Sequence, residues 1–101
     1  MNPQRADNQG EEVSEWFSAP EGSHVAGFQF IDRSKSEFAA TSELIVTYKG
    51  KNGKPPATYS YKLNSHESLR NIFESLKGAE HPGALIDAQL KKANVPYKRI
   101  S

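Results

Sequence analysis

The chain has 101 residues, no cysteine, thirteen Lys and Arg against twelve Asp and Glu, and a formal charge of +1. That length holds one domain with a small core, and the lack of cysteine excludes disulfide frameworks and thiolate zinc sites and fits a reducing, cytoplasmic setting. No apolar run reaches the length of a membrane span or a signal-peptide core, so no membrane partner is expected.

Residues 1–22 are polar and acidic. They carry Arg5 against Asp7, Glu11, Glu12, Glu15 and Glu21, a formal charge of −4, whereas the rest of the chain carries twelve Lys and Arg against seven acids, or +5. The near-neutral total therefore conceals an acidic arm on a basic domain. The arm is expected to be a largely disordered tail, and its first twelve residues dispensable for folding, since such a composition buries too little apolar surface to offset the entropy of ordering. Trp16-Phe17 interrupts it. The pair either folds back onto the domain and extends its core, or anchors a protein partner or a second subunit.

The domain proper is expected over residues 23–101. His24 to Asp32 alternates as a strand, with Phe28 and Phe30 on one face. Arg33 to Ser42 is polar and reads as a loop. Leu44, Val46 and Tyr48 line one face of a second strand, with Ile45 and Thr47 on the other. Lys49 to Pro56 forms a turn. There Asn52-Gly53 favours left-handed hairpin conformations, and Pro55-Pro56 blocks ladder pairing. Thr58 to Leu63 makes a third strand, with Tyr59, Tyr61 and Leu63 on one face.

A helix is predicted over Ser65 to Lys77. Asn64 is its candidate N-cap, with Glu67 three residues on. Leu69, Ile72, Phe73 and Leu76 form one apolar stripe at i, i+3, i+4 and i+7. Lys77 sits in the last turn and Gly78 is a candidate left-handed C-terminal residue. After His81-Pro82-Gly83, with Pro82 as a turn or first helical residue, a shorter helix carries Leu85, Ile86 and Leu90 and stops at Asn94-Val95-Pro96. The pattern is α+β: a three-stranded antiparallel β-meander followed by two short helices packed on one face, in the order β-β-β-α-α.

Ala79-x-His81-Pro82-Gly83-Ala84-Leu85-Ile86, then Leu90, then Pro96-Tyr97-Lys98-Arg99-Ile100 resembles the end of the KTSC domain. That family is named for the C-terminus of some lysyl-tRNA synthetases and also occurs as short standalone chains. Ser23-His24-Val25-x-x-Phe28-x-Phe30, Leu44-Ile45-Val46-Thr47-Tyr48 and Tyr59-Ser60-Tyr61 resemble its strands. The resemblance covers about residues 23–100, with His81 where Ser is common and a longer hairpin over Lys49 to Ala57. It implies a fold and brings no activity with it.

The residues themselves point away from catalysis. His24, His66 and His81 are scattered, and three converging ligands would be needed for a metal. No Gly-x-Ser-x-Gly elbow and no phosphate-binding Gly-rich loop is present. No cofactor and no metal site is expected. Basic and aromatic residues are the stronger signal: Lys49, Lys51, Lys54 and Lys62 in the hairpin, Lys91, Lys92, Lys98 and Arg99 near the C-terminus, interleaved with Tyr48, Tyr59, Tyr61 and Tyr97. Such residues hold phosphates and stack bases, and they are expected to share one positive face. The same residues also suit an ordinary lysine-rich surface over half-buried strand tyrosines.

The expected function is a small non-enzymatic module binding an anionic ligand, nucleic acid or nucleotide. Appendage of the resembling domain to a tRNA ligase leans the same way. The alternatives are a protein–protein interaction module, self-association included, and a phage or mobile-element accessory protein that sequesters a nucleotide signal of host defence. At the C-terminus, Tyr97 and Ile100 suggest a docked end with Ile100 buried, which would hold Arg99 rigidly.

Overall fold

The computed structural model describes residues 12–35, 41–50, 53–63 and 65–101. Asn64, Lys51 and Asn52 lie outside them, as do residues 1–11. The described chain is an α+β fold in which a six-stranded antiparallel sheet is covered on one face by helices. The strands are β1 (Glu12–Val13), β2 (Phe17–Ser18), β3 (Val25–Asp32), β4 (Glu43–Tyr48), β5 (Ala57–Lys62) and β6 (Tyr97–Arg99). The order across the sheet is β1-β3-β4-β5-β6, and β2 also pairs with β3, further along the same edge.

The central meander follows the alternation in sequence. Phe28 faces Val46 and Phe30 faces Leu44 across β3 and β4, while Val46 faces Tyr59 and Leu44 faces Tyr61 across β4 and β5. Because side chains alternate with period two, these residues share the helix-covered face, and Ile45, Thr47, Thr58 and Ser60 share the other. The turn between β4 and β5 uses Gly53 at φ 80°, a conformation that a Cβ would disfavour.

Helix α1 (His66–Lys77) buries Leu69, Phe73 and Leu76 of the stripe its periodicity defines, and the fourth member, Ile72, is partly buried against the core. Its N-cap is Ser65, one residue later than the expected Asn64. The Ser65 Oγ accepts from the Ser68 amide at 3.1 Å, so Ser68, not Glu67, holds the third helical position. Gly78 closes the helix at φ −105°, outside the left-handed region, with its amide bonded to the Ser75 carbonyl at 3.3 Å. Helix α2 (Pro82–Ile86) begins with Pro82, where a missing N–H costs nothing. It runs directly into a π-helical turn over Asp87–Lys91, which buries Leu90. Asn94 then takes φ 58° and turns the chain toward Pro96 and β6.

The core is Phe28, Phe30, Leu44, Val46 and Tyr61 from the sheet, closed by Leu69, Phe73, Leu76, Ile86, Leu90 and Val95. Phe73 is its hub, with Phe30 stacked at 5.2 Å and Phe28 edge-on at 6.0 Å between ring centroids.

The sheet has six strands where the sequence predicts three. Two corrections account for the difference. First, residues 12–18 are not a disordered arm. Val13 pairs opposite Ile31 and Phe17 opposite Phe28, and the Phe17 ring stacks on Phe28 at 6.1 Å and meets Phe73 edge-on at 5.6 Å. Trp16 lies on the other face of the sheet, over Gly27, where a Cβ would come within 2.2 Å of its ring. Both aromatics therefore fold back on their own domain, Phe17 into the core and Trp16, 46% exposed, over the open face. Second, Tyr97–Arg99 adds a strand on β5, with Tyr97 opposite Tyr61 and Arg99 opposite Tyr59. Two-residue strands and an exposed polar strand have no periodicity of their own to read. They form because β3 and β5 offer unpaired backbone edges.

Candidate functional site

The tyrosines of the second and third strands meet on one face because of strand register. Tyr48 ends β4 opposite Ala57, and Tyr59 and Tyr61 follow along β5. Beyond the helices' reach this tyrosine row is not fully covered. Between it and the segment from the π-helical turn to β6 lies a groove of about 830 Å³, lined by His24, Tyr48, Ala57, Tyr59, Tyr61, Lys91, Asn94, Val95, Pro96 and Tyr97. No Asp or Glu is among the lining residues.

The rings form a connected wall. His24 stacks on Tyr48 with centroids 6.0 Å apart and an interplanar angle of 11°; Tyr48 meets Tyr59 edge-on at 5.7 Å, and Tyr97 contacts both Tyr59 and Tyr61 at 5.7 Å. His24 also reaches α2, where a Cβ on Gly83 would come within 2.4 Å of its ring. Gly83 thus lets the histidine lie between helix and tyrosine. The π-helical turn contributes Lys91, whose Nζ sits 5.3 Å from the Tyr48 ring centroid, a cation–π contact.

At the inner side of the wall the Tyr48 and Tyr61 hydroxyls are 3.0 Å apart. Tyr61 is 2% exposed. Burial, together with the neighbouring phenols and Asp87, pushes the Tyr48 hydroxyl far above its ordinary pKa; burial likewise raises Tyr61. Both are neutral phenols at any ordinary pH, so they offer donors and lone pairs but no charge.

The structure thus gathers five of the proposed ligand residues, Tyr48, Tyr59, Tyr61, Tyr97 and Lys91. Arg99 lies on the same sheet face through its pairing with Tyr59, at the β6 edge, with its Nε donating to the Ser101 carbonyl at 3.0 Å. Lys49, Lys54 and Lys92 are exposed and do not line the groove. Lys62 and Lys98 pair opposite Glu43 and Ser60, on the far face of the sheet. The cations therefore do not make one positive face, because alternation along β5 and β6 sends neighbouring residues to opposite sides. Nor is the C-terminal end buried: the Ile100 amide bonds to the Thr58 carbonyl at 2.8 Å, but the side chain is 49% exposed.

Of the lining, sequence reasoning missed His24, Ala57, Asn94, Val95 and Pro96. His24 joins the site only because Val25 pairs opposite Tyr48. Asn94 had a local signal, an Asn before Val-Pro able to adopt positive φ.

Three other polar clusters hold the fold together. Ser42 Oγ and His66 Nδ1 are 2.6 Å apart, a spacing that suits a nucleophile and base. Yet Ser42 is fully buried, and its Oγ also accepts from the Arg33 amide at 2.8 Å, so no substrate reaches it. The contact ties the start of α1 to the sheet. Asp32, also buried, pairs with Arg70 and accepts from the Ser34 amide at 2.8 Å. Burial alone would raise its pKa, but the Ser34 hydrogen bonds and the Arg70 guanidinium outweigh it and hold the carboxyl at about 2. On the open face Glu43 joins Arg33 at 2.5 Å and Ser60 at 2.6 Å, which together overcome its burial and lower its pKa. Among the described residues no three His, Asp or Glu side chains converge, and no helix is long and apolar enough to cross a membrane.

Comparison of the chain with protein-family models, with curated proteins and with solved structures finds no match.

Proposed function

We propose that this chain is a small non-enzymatic binding module, KTSC-like and cytoplasmic, whose groove takes a nucleotide. The observation that carries the reading is the groove lining: four tyrosines, a histidine and Lys91 with no acid among them. Aromatic faces accept a base by stacking, and a lysine at the rim supplies the charge for a phosphate. An acid in the lining would oppose that phosphate. The division of the cations between two sheet faces favours a single nucleotide over a long strand, because affinity for a polymer grows with the number of phosphates met along one track.

Native mass spectrometry of protein purified from cells tests for a retained nucleotide, and calorimetric titration with 5′-GMP, 5′-AMP and an oligonucleotide measures the preference directly. Saturable binding of a mononucleotide is expected, with the oligonucleotide gaining little over it. Tyr59→Ala is expected to weaken binding about 5- to 100-fold, as the loss of one stacking partner implies. Lys91→Ala weakens it and flattens its salt dependence. No binding of any of the three at millimolar concentration refutes the proposal.

A further inference from the structure

The Tyr48–Tyr61 hydroxyl pair has an unused proton. Two phenols carry two O–H donors, and the single contact between them consumes one. Among the described residues neither hydroxyl has another hydrogen-bond partner, and both side chains line the groove. The remaining donor has no protein partner among the described residues, and the groove that both residues line is where a ligand can meet it. The neighbouring polar groups do not relieve it. Lys91 carries only donors, and His24, Asn94, Tyr59 and Tyr97, the lining side chains with acceptor atoms, make no hydrogen bond to either hydroxyl.

Resting on the nucleotide reading, we infer that this pair selects a base with a carbonyl oxygen, the 6-oxo purines first, over one with an amino group at the same position. A carbonyl oxygen has two lone pairs and no proton, so it accepts the spare hydroxyl hydrogen without any rearrangement. An exocyclic amino group presents donors to that position. It obliges the phenols to act as acceptors and leaves their spare proton unbonded in a site the ligand has dried, the costly side of hydrogen-bond exchange. Burial raises the pKa of both phenols, so whichever of the two carries the spare proton keeps it. Stacking by itself tolerates any base; the hydroxyl pair is what adds discrimination to the wall.

The test is calorimetric titration of the full chain with 5′-GMP, 5′-AMP and 2-aminopurine riboside 5′-monophosphate, which keeps the 2-amino group of guanine and lacks its 6-oxygen. The inference expects GMP to bind about tenfold tighter than either of the others, the scale of one neutral hydrogen bond gained against one donor stranded. In Tyr48→Phe/Tyr61→Phe, with folding checked by its melting curve, the ratio falls to about one while stacking persists. Equal binding of GMP and the 2-aminopurine nucleotide overturns the inference and leaves the nucleotide reading standing. So does a preference that survives in the double phenylalanine variant. If that variant fails to fold, the comparison of the two purines on the native chain decides alone. If none of the three nucleotides binds, the groove reading and the inference fall together.

Discussion

Phe17→Ala is expected to unfold this domain at a much lower temperature, although the residue sits in a segment whose composition reads as a tail. The Phe17 ring is partly buried against the core, with two aromatic neighbours, Phe28 and Phe73, and the Lys77 Nζ lies 5.2 Å from its centroid. Truncating a fully buried phenylalanine costs about 3–5 kcal/mol. Phe17 is incompletely buried, which lowers the transfer part. Its two aromatic pairs contribute about 0.5–1.5 kcal/mol each beyond area. A loss of about 2–3 kcal/mol follows. At about 4–8 °C per kcal/mol for a domain of this size, the melting temperature falls by about 10–20 °C. Circular dichroism melts of Phe17→Ala, Phe17→Leu and the exposed control Glu15→Ala measure it. Leucine retains much of the apolar volume and is expected to lose about half as much; Glu15→Ala is expected to melt as the native chain does. A Phe17→Ala melting temperature within about 2 °C of native shows that β2 is not fastened to the core, and the reasoning fails.

Asp32 titrates lower in the folded chain than in the unfolded one, at about 2 against 3.8. Its contribution is present above about pH 4 and lost as pH falls toward 2, about 2 kcal/mol in all; urea melts at pH 7, 4 and 2.5 should show this loss in the native chain and its near absence in Asp32→Asn. Gly83→Ala places a Cβ against the His24 ring, so nucleotide affinity should drop several-fold while the melting temperature changes little; unchanged ring-current shifts at His24 in proton NMR would contradict this. Arg99→Lys and Arg99→Ala are both expected to melt within about 2 °C of the native chain, since Arg99 is exposed and, among the described residues, its side chain bonds only the Ser101 carbonyl. A larger loss in alanine than in lysine would restore a structural role for the guanidinium.

Local patterns settled which side chains face inward. Alternation placed Phe28 with Phe30 and Leu44 with Val46, and helical spacing placed Leu69, Ile72, Phe73 and Leu76 on one stripe; all of these but the partly covered Ile72 are buried. These periods are set by backbone geometry within a single element, so they can be read without knowing its neighbours. The α+β class follows from them, while the four tyrosines and Lys91 were singled out by residue type, as aromatics interleaved with cations. Tertiary structure alone decided what those residues meet. Register across β3, β4 and β5 brings His24 beside Tyr48 and the Tyr48 hydroxyl onto that of Tyr61, and a shift of one residue would have turned those rings to the other face. The edge strands β1, β2 and β6 owe their existence to backbone groups left open by longer strands, not to their own sequences. Lys62 and Lys98 were separated from Lys91 in the same way, because a lysine's charge is visible in the sequence but the side of the sheet it occupies depends on its partner strand.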